Sequence, residues 1–233
     1  MIETLAALGA GAAGLALYGA YAPNSGLYGR AVGRGPADGR RVYLTFDDGP
    51  SPSATARILE TLAAQDVPAA FFLVGGFVLR DPGLARAVAD GGHEIGNHTQ
   101  NHVKLHRRGP ARIRRELDMA HGVITEATGR APRAFRAPHG YRNPFVGLTV
   151  RRLGYTLFGW TFGVWDSARP GAEEIRRRVR RRLRPGAIVL LHDGDGYDYG
   201  GDRRQTAEAL PGIIRDARDA GYVFAPLGEL VRR

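Results

Sequence analysis

The chain contains no cysteine. That excludes disulfides, thiolate nucleophiles and thiolate metal sites, and it fits any compartment. Lysine is almost missing: Lys104 is the single one among 33 basic residues. The positive charge is therefore arginine, a bias we read first as GC-rich coding sequence and only second as function. No internal repeat and no sign of a second domain appear along the 233 residues. What is present, 43% hydrophobic and 24% charged residues, suits one globular core. The net charge of +10 favours anionic partners without choosing among acidic wall polymer, membrane surface and nucleic acid.

Charge is also absent from Thr4 to Gly29. The first 22 residues are mostly Ala, Leu and Gly, about the length of a bilayer-spanning helix. Three readings are open: a membrane anchor, a cleaved signal peptide with a small-x-small site at 20–22, and an apolar helix packed on the domain. The amino-terminal region holds Glu3 and no Lys or Arg, which speaks against the signal peptide. We expect an anchor or signal-like helix over 1–22, a Gly- and Pro-rich linker over 23–40 and the main domain over 41–233. Arg30, Arg34, Arg40 and Arg41 follow the helix, which by the positive-inside rule would keep the domain cytoplasmic. The substrate inferred below instead places the domain outside the cytoplasm.

Short apolar runs at 42–46, 70–74, 93–95, 134–136, 155–161, 187–191 and 222–224 alternate with amphipathic patterns. Leu210, Ile213, Ile214 and Ala217 make one helical stripe; Ile113, Leu117 and Ile124 make another. Repeated strand–helix units imply an α/β fold with a parallel sheet, either open or closed as a β/α barrel. In both, ligand chemistry gathers at the carboxyl ends of the strands. The residues at those ends are Asp47 and Asp48, His98 and His102, Arg136 and His139, Asp166, and His192 and Asp193. Asp and His are common at turns, so any one has a dull explanation. A full set of acids, bases and ligands on one rim points to a site.

His98 and His102 lie four apart in "HTQNH", a spacing that on a helical turn puts both imidazoles on one face. Two His and one Asp with an open position are the pattern of a catalytic divalent site: zinc by default, with cobalt or nickel fitting similar ligands. A metal lowers the pKa of its water from about 16 to about 7, roughly 12 kcal/mol. One of the adjacent acids in "LTFDDGP" would then ligate, and the other would take the proton. The ion also relieves their repulsion. His192, arriving from another strand, suits protonation of the leaving group, and Arg136 suits orientation of the base.

"TFDDGP", "HTQNH", "RAPHG" and "IVLLHD", in that order, resemble four motifs of the polysaccharide deacetylases, the NodB-homology domain of carbohydrate esterases. The stretch 203–230 also resembles that family's carboxyl end. The resemblance covers about 41–233. It implies a distorted β/α barrel of about seven parallel strands and metal-dependent removal of N-acetyl, less often O-acetyl, groups from a polysaccharide such as peptidoglycan or a chitin-like N-acetylglucosamine polymer. By position it implies Asp47 as base, Asp48, His98 and His102 as metal ligands, Arg136 as the tether of the base, and His192 as acid. Leu190 would line the acetyl pocket, and Pro138, His139, Gly140 and Tyr141 would meet substrate. Two departures stand out. His139 replaces the usual tyrosine, whose backbone N–H serves the oxyanion. In "WTFGVWDSAR" only Asp166 matches the fourth motif; Gly163 and Ser167 replace its other members, and Trp160 or Trp165 would supply the aromatic wall. On this reading Asp166 supports Arg136.

The altered fourth motif keeps a carbohydrate-binding pseudoenzyme as the second reading. A nucleic-acid-binding reading rests on the seven arginines between Arg176 and Arg184 and finds no recognisable nucleic-acid module. That stretch reads as an outer helix with a basic face. "HDGDGYDYGGDR" resembles a calcium loop only loosely and reads as a mobile rim loop, with Tyr197 and Tyr199 able to stack on sugars. His93 reads as a core histidine.

Overall fold

Every pairing in the sheet is parallel. The computed structural model describes residues 2–231; residue 1 of the expected anchor and residues 232 and 233 of the expected catalytic domain lie outside them. The strands are β1 (Arg41–Asp47), β2 (Ala69–Leu73), β3 (Glu94–Asn97), β4 (Ala134–Phe135), β5 (Thr156–Leu157), β6 (Phe162–Gly163), β7 (Ala187–His192) and β8 (Val223–Phe224). Their order is β5-β4-β3-β2-β1-β7-β6, with β8 paired to the start of β1. The helices are α1 (Ile2–Tyr21), α2 (Thr55–Ala64), α3 (Gly75–Arg80), α4 (Pro82–Asp90), α5 (Pro110–Thr128), α6 (Pro144–Arg152), α7 (Ala172–Arg182) and α8 (Arg204–Asp219). Pro82, Pro110 and Pro144 start their helices, where a missing N–H costs nothing.

Alternation along the strands divides the core in two. Val42, Leu44 and Phe46 of β1, Phe71 and Leu73 of β2 and Val189 and Leu191 of β7 pack outward under α2, α7 and α8. Tyr43, Phe72 and Ile188 turn inward and fill the barrel with Phe158 and Leu227. Thr45, Asp47, Leu190 and His192 continue the inward face toward the carboxyl end. Register aligns that end: Asp47 pairs with both Phe72 and His192, and Asn97 pairs with Leu73 and Phe135.

The apolar run 155–161 is not one strand but the bridge between the two edges. Phe158 N–H donates to Phe135 on the β4 side, and Thr161 N–H donates to Ile188 on the β7 side. The change of partner comes at Gly159, where the side chain of Asn24 occupies the space a Cβ would need. The amino-terminal lead-in helps close this gap. Val32 bridges Phe158, Arg34 bridges Ala187, and Asn24 pairs with both the N–H and the carbonyl of Trp160. The stretch expected as a linker thus docks along both sheet edges.

No helix among the described residues is long and apolar enough to cross a membrane. In α1 the length is there, but Ala and Gly contribute little transfer energy. Its last turn is tied to the domain. Arg142 donates to the carbonyls of Ala22, Ser25 and Gly29, and its backbone N–H donates to that of Ala20.

Candidate metal centre and active site

Two adjacent acids at the end of β1 separate because the backbone turns over between them. Asp47 is the last strand residue, and Asp48 adopts φ 75°. Gly49 lets β7 come close: an added Cβ there would meet the Asp193 carboxylate at 2.1 Å. Asp48 Oδ1 lies 3.2 Å from His98 Nε2 and 2.9 Å from His102 Nε2. These three side chains are buried and are the only ligand-type cluster of its kind among the described residues. Burial disfavours the Asp48 carboxylate, yet His102 and His98 hold it well below the ordinary carboxylate range.

The spacing of His98 and His102 is realised on a loop, not on the expected helical turn. The backbone groups that a helix would use are engaged elsewhere. Asn97 Oδ1 accepts from Thr99 N–H at 2.8 Å, Glu116 Oε2 accepts from Asn101 N–H at 2.9 Å, and the Glu116 carbonyl accepts from Gln100 N–H. Thr99 and His102 take positive φ, as does His139. Such strain concentrates at functional sites. His98 Nδ1 lies 2.7 Å from the Arg136 carbonyl, which fixes the Nδ1–H tautomer and leaves Nε2 free to ligate. The donor set, two imidazole nitrogens and a carboxylate converging on one point, fits a divalent ion.

Asp47 stands beside this cluster, with Oδ2 3.8 Å from His98 Nε2. Its Oδ1 accepts from Arg136 Nη1 at 2.6 Å. Arg136 is wholly buried. It also donates to Thr45 Oγ1 and to the Gly159 carbonyl, and its guanidinium lies over Phe72 at 4.1 Å. Thr45, which the motif reading passed over, could have been found by alternation, since it shares the inward face of β1 with Asp47.

Asp166 does not support Arg136. Its Oδ1 lies 2.9 Å from His192 Nδ1, and its Oδ2 accepts from His192 N–H at 2.8 Å and from Thr206 Oγ1 at 3.0 Å. The reason is topological: residues 166–168 form a turn directly after β6, whose partner is β7, and so Asp166 meets the end of β7. Burial alone would lower the His192 imidazole; the Asp166 carboxylate outweighs it and raises it to about 9. His192 is therefore cationic at neutral pH. Next to it, burial pushes the Asp193 carboxyl up to about 7, against a 2.6 Å hydrogen bond from Thr55.

The substrate-side expectations divide. Pro138, His139, Gly140 and Tyr141 form a turn over the centre, with the His139 ring 5.0 Å from that of His102. Burial, then His102, lowers His139 to about 4, and its Nε2 pairs with Tyr197 Oη at 2.7 Å. Trp160 packs against Gly140 and lies 5.9 Å from Arg136. Leu190, on the same face as His192, lies against Gly163. Trp165 is elsewhere: it is 72% exposed and lines a groove with Arg178, Arg181 and Arg182 of α7. In the 193–203 loop Asp195 pairs with Arg203 and Asp202 with Arg204, and its acids form no calcium cluster among the described residues. Arg203, buried and donating to the Gly194 and Ser167 carbonyls, ties that loop to the Asp166 turn.

Comparison with known proteins gives the family. The polysaccharide deacetylase profile matches residues 34–158. A chitooligosaccharide deacetylase of Bradyrhizobium is 40% identical over 200 residues, covering 82% of this chain and 90% of the relative. A peptidoglycan-N-acetylglucosamine deacetylase of Bacillus cereus is 38% identical over 200 residues, covering 84% and 91%. Among solved structures, a family 4 carbohydrate-esterase pseudoenzyme of Bacillus anthracis superposes with a TM-score of 0.79 at 30% identity, over 88% of this chain and 70% of that one. Fold likeness alone therefore does not decide turnover. Here both carboxylates, both histidines of the cluster and a His192 held by Asp166 are in place on the rim. The chain belongs to the polysaccharide deacetylase family.

Proposed function

We propose that this chain hydrolyses the acetamide groups of an acetylated polysaccharide, releasing acetate and leaving a free amine. The observation that carries the reading is one of register. Asp47 and His192 are paired residues on adjacent strands, facing the same opening beside Asp48, His98 and His102. Those last three would hold a divalent ion, which we take to be zinc; cobalt and nickel suit the same donors. Such an ion acidifies water and polarises a carbonyl.

The chain's own groups supply the rest. Asp47, oriented by Arg136 and Thr45, accepts the proton of the attacking water as oxygen adds to the acetyl carbon. The His139 N–H is the oxyanion donor that the turn at 138–140 offers. His192 keeps Nδ1–H on Asp166, so its Nε2 proton goes to the departing nitrogen as the C–N bond breaks. Leu190 and Trp160 enclose the acetyl group and limit water. The altered fourth motif does not favour a pseudoenzyme, because Asp166 holds His192 without the missing members.

The test is acetate release from N-acetylglucosamine oligomers. Chelation should abolish it, and zinc or cobalt should restore it. Asp47→Asn should keep metal affinity and lose turnover by about 10²–10⁴-fold, the range of general-base catalysis. Asp48→Ala should lose the metal. Full turnover by Asp47→Asn would overturn the assignment.

We also place the catalytic domain outside the cytoplasm, against a membrane face. Support for the membrane face comes from Leu15, Leu17 and Tyr18, exposed on α1, with Leu27, Phe145 and Leu148 also exposed; the outer side follows only from the wall-type substrate proposed. Cell fractionation tests this: the full chain should sediment with membranes, and recovery in the cytoplasmic fraction would remove the proposal.

A further inference from the structure

A cavity of about 380 Å³ opens directly beside the metal centre, lined by His102, Tyr197, Asn101, Lys104, Arg107 and Arg108. We infer that it is an anion subsite, which selects acetylated glycans whose sugar beside the reacting acetamide carries a carboxylate. This rests on the deacetylase reading above and narrows its substrate class.

Three observations support it. The cations are uncompensated: among the described residues no carboxylate is ion-paired to Lys104, Arg107 or Arg108, whereas Arg112, a few residues on, is paired to Glu116. Arg107 instead donates from Nε to His106, itself held below its ordinary value by burial and by Arg107 and Lys104. The turn that carries them is rigid. Leu105 is fully buried, and the Asn143 amide donates to the carbonyls of Leu105, His106 and Arg108. A backbone held in this way leaves only the side chains to be ordered on binding. Finally, the wall between the turn and the metal centre is aromatic. His106 and His139 each pack on Tyr141, and His139 stacks on Tyr197, a surface suited to a sugar face. A disaccharide resting there would present the acetamide of one sugar to Asp47 and His192 and the carboxylate of its neighbour to the basic turn. Planar guanidinium forks match carboxylate geometry.

The experiment compares two substrate types of equal length with the zinc-loaded full chain. Neutral N-acetylglucosamine oligomers are one. The carboxylated type has two arms, oligomers alternating with a lactyl-ether (muramic) sugar and oligomers alternating with a uronic acid, which identify the source of the carboxylate. The ratio of kcat/KM, carboxylated over neutral, should exceed one in at least one arm and fall with added salt. Lys104→Ala, Arg107→Ala and Arg108→Ala together should lower that ratio about tenfold, through KM. These side chains are exposed, so folding is not at stake. A control removing three exposed charges on other elements, Arg180→Ala and Arg181→Ala on α7 and Arg215→Ala on α8, separates a local subsite from steering by net charge. A ratio at or below one in both arms, or an equal fall in both triple variants, overturns the subsite. Failure to release acetate from any acetylated glycan would instead overturn the deacetylase reading itself.

Discussion

The two proton-handling halves of the site are built on different principles. On one side Asp47 is held by Arg136, a fully buried fixed cation that also spans Thr45 and Gly159. On the other, His192 is held by Asp166, a carboxylate that favours the opposite charge on the imidazole and whose support comes from Thr206 and the His192 backbone. The first half is held by a guanidinium, a group that stays charged in proteins. The second works through a raised imidazole and is the half that pH can switch. A base needs a fixed direction; an acid must also be charged at working pH.

Breaking the first half should have the largest effect. Arg136→Met removes the holder of Asp47 and leaves a buried carboxylate unpaired, which costs about 3–5 kcal/mol. For a chain of this size that is a fall in melting temperature of roughly 6–20 °C. Turnover should fall with it, even at temperatures where the variant remains folded. Calorimetry and acetate release measure both, and an unchanged melting temperature would show that the buried pair is not the strut described here.

Breaking the second half should change the pH profile more than the stability. The wild-type rate should decline as pH rises through about 9, where His192 loses its proton. Asp166→Asn removes the carboxylate that outweighs burial, so the same limb should move toward the ordinary imidazole range near 6.5. The sign for stability follows the same rule. The raised imidazole contributes fully below about 6.5 and loses its contribution as pH passes 9. An alkaline limb in the same place in Asp166→Asn would assign it to another group.

How much of this was legible depends on whether a role rests on local spacing or on which strands become neighbours. Asp47, Asp48, His98, His102 and His192 follow from motif position and from the rule that chemistry sits at strand carboxyl ends. The strands themselves were visible wherever apolar runs were long enough, as in β1, β2 and β7. The run at 155–161 was not resolvable, because its hydrophobicity is the same on both sides of Gly159 while its partners change from β4 to β7. That change is what sends Asp166 to His192 rather than to Arg136. Arg142 was silent for a similar reason: its three acceptors are backbone carbonyls more than a hundred residues away.

The two tryptophans offer the finest test of the comparison, because sequence proximity gives no way to choose between them. Trp160 belongs to the base half. It packs on the turn at Gly140, lies near Arg136, and its backbone is held by Asn24 from the amino-terminal lead-in. Trp165 adjoins Asp166 in the chain, yet its positive φ of 57° turns the ring away to solvent and the arginines of α7. Trp160→Ala should therefore lower kcat/KM on acetylated oligomers about tenfold, the order expected for losing one half-buried aromatic wall at about 1.4 kcal/mol. Trp165→Ala should leave it within about twofold, since exposed substitutions away from a site move free energies by about 0.5 kcal/mol or less. Equal losses in both would mean that the substrate extends across the α7 face, and the site would then be wider than the rim between Asp47 and His192.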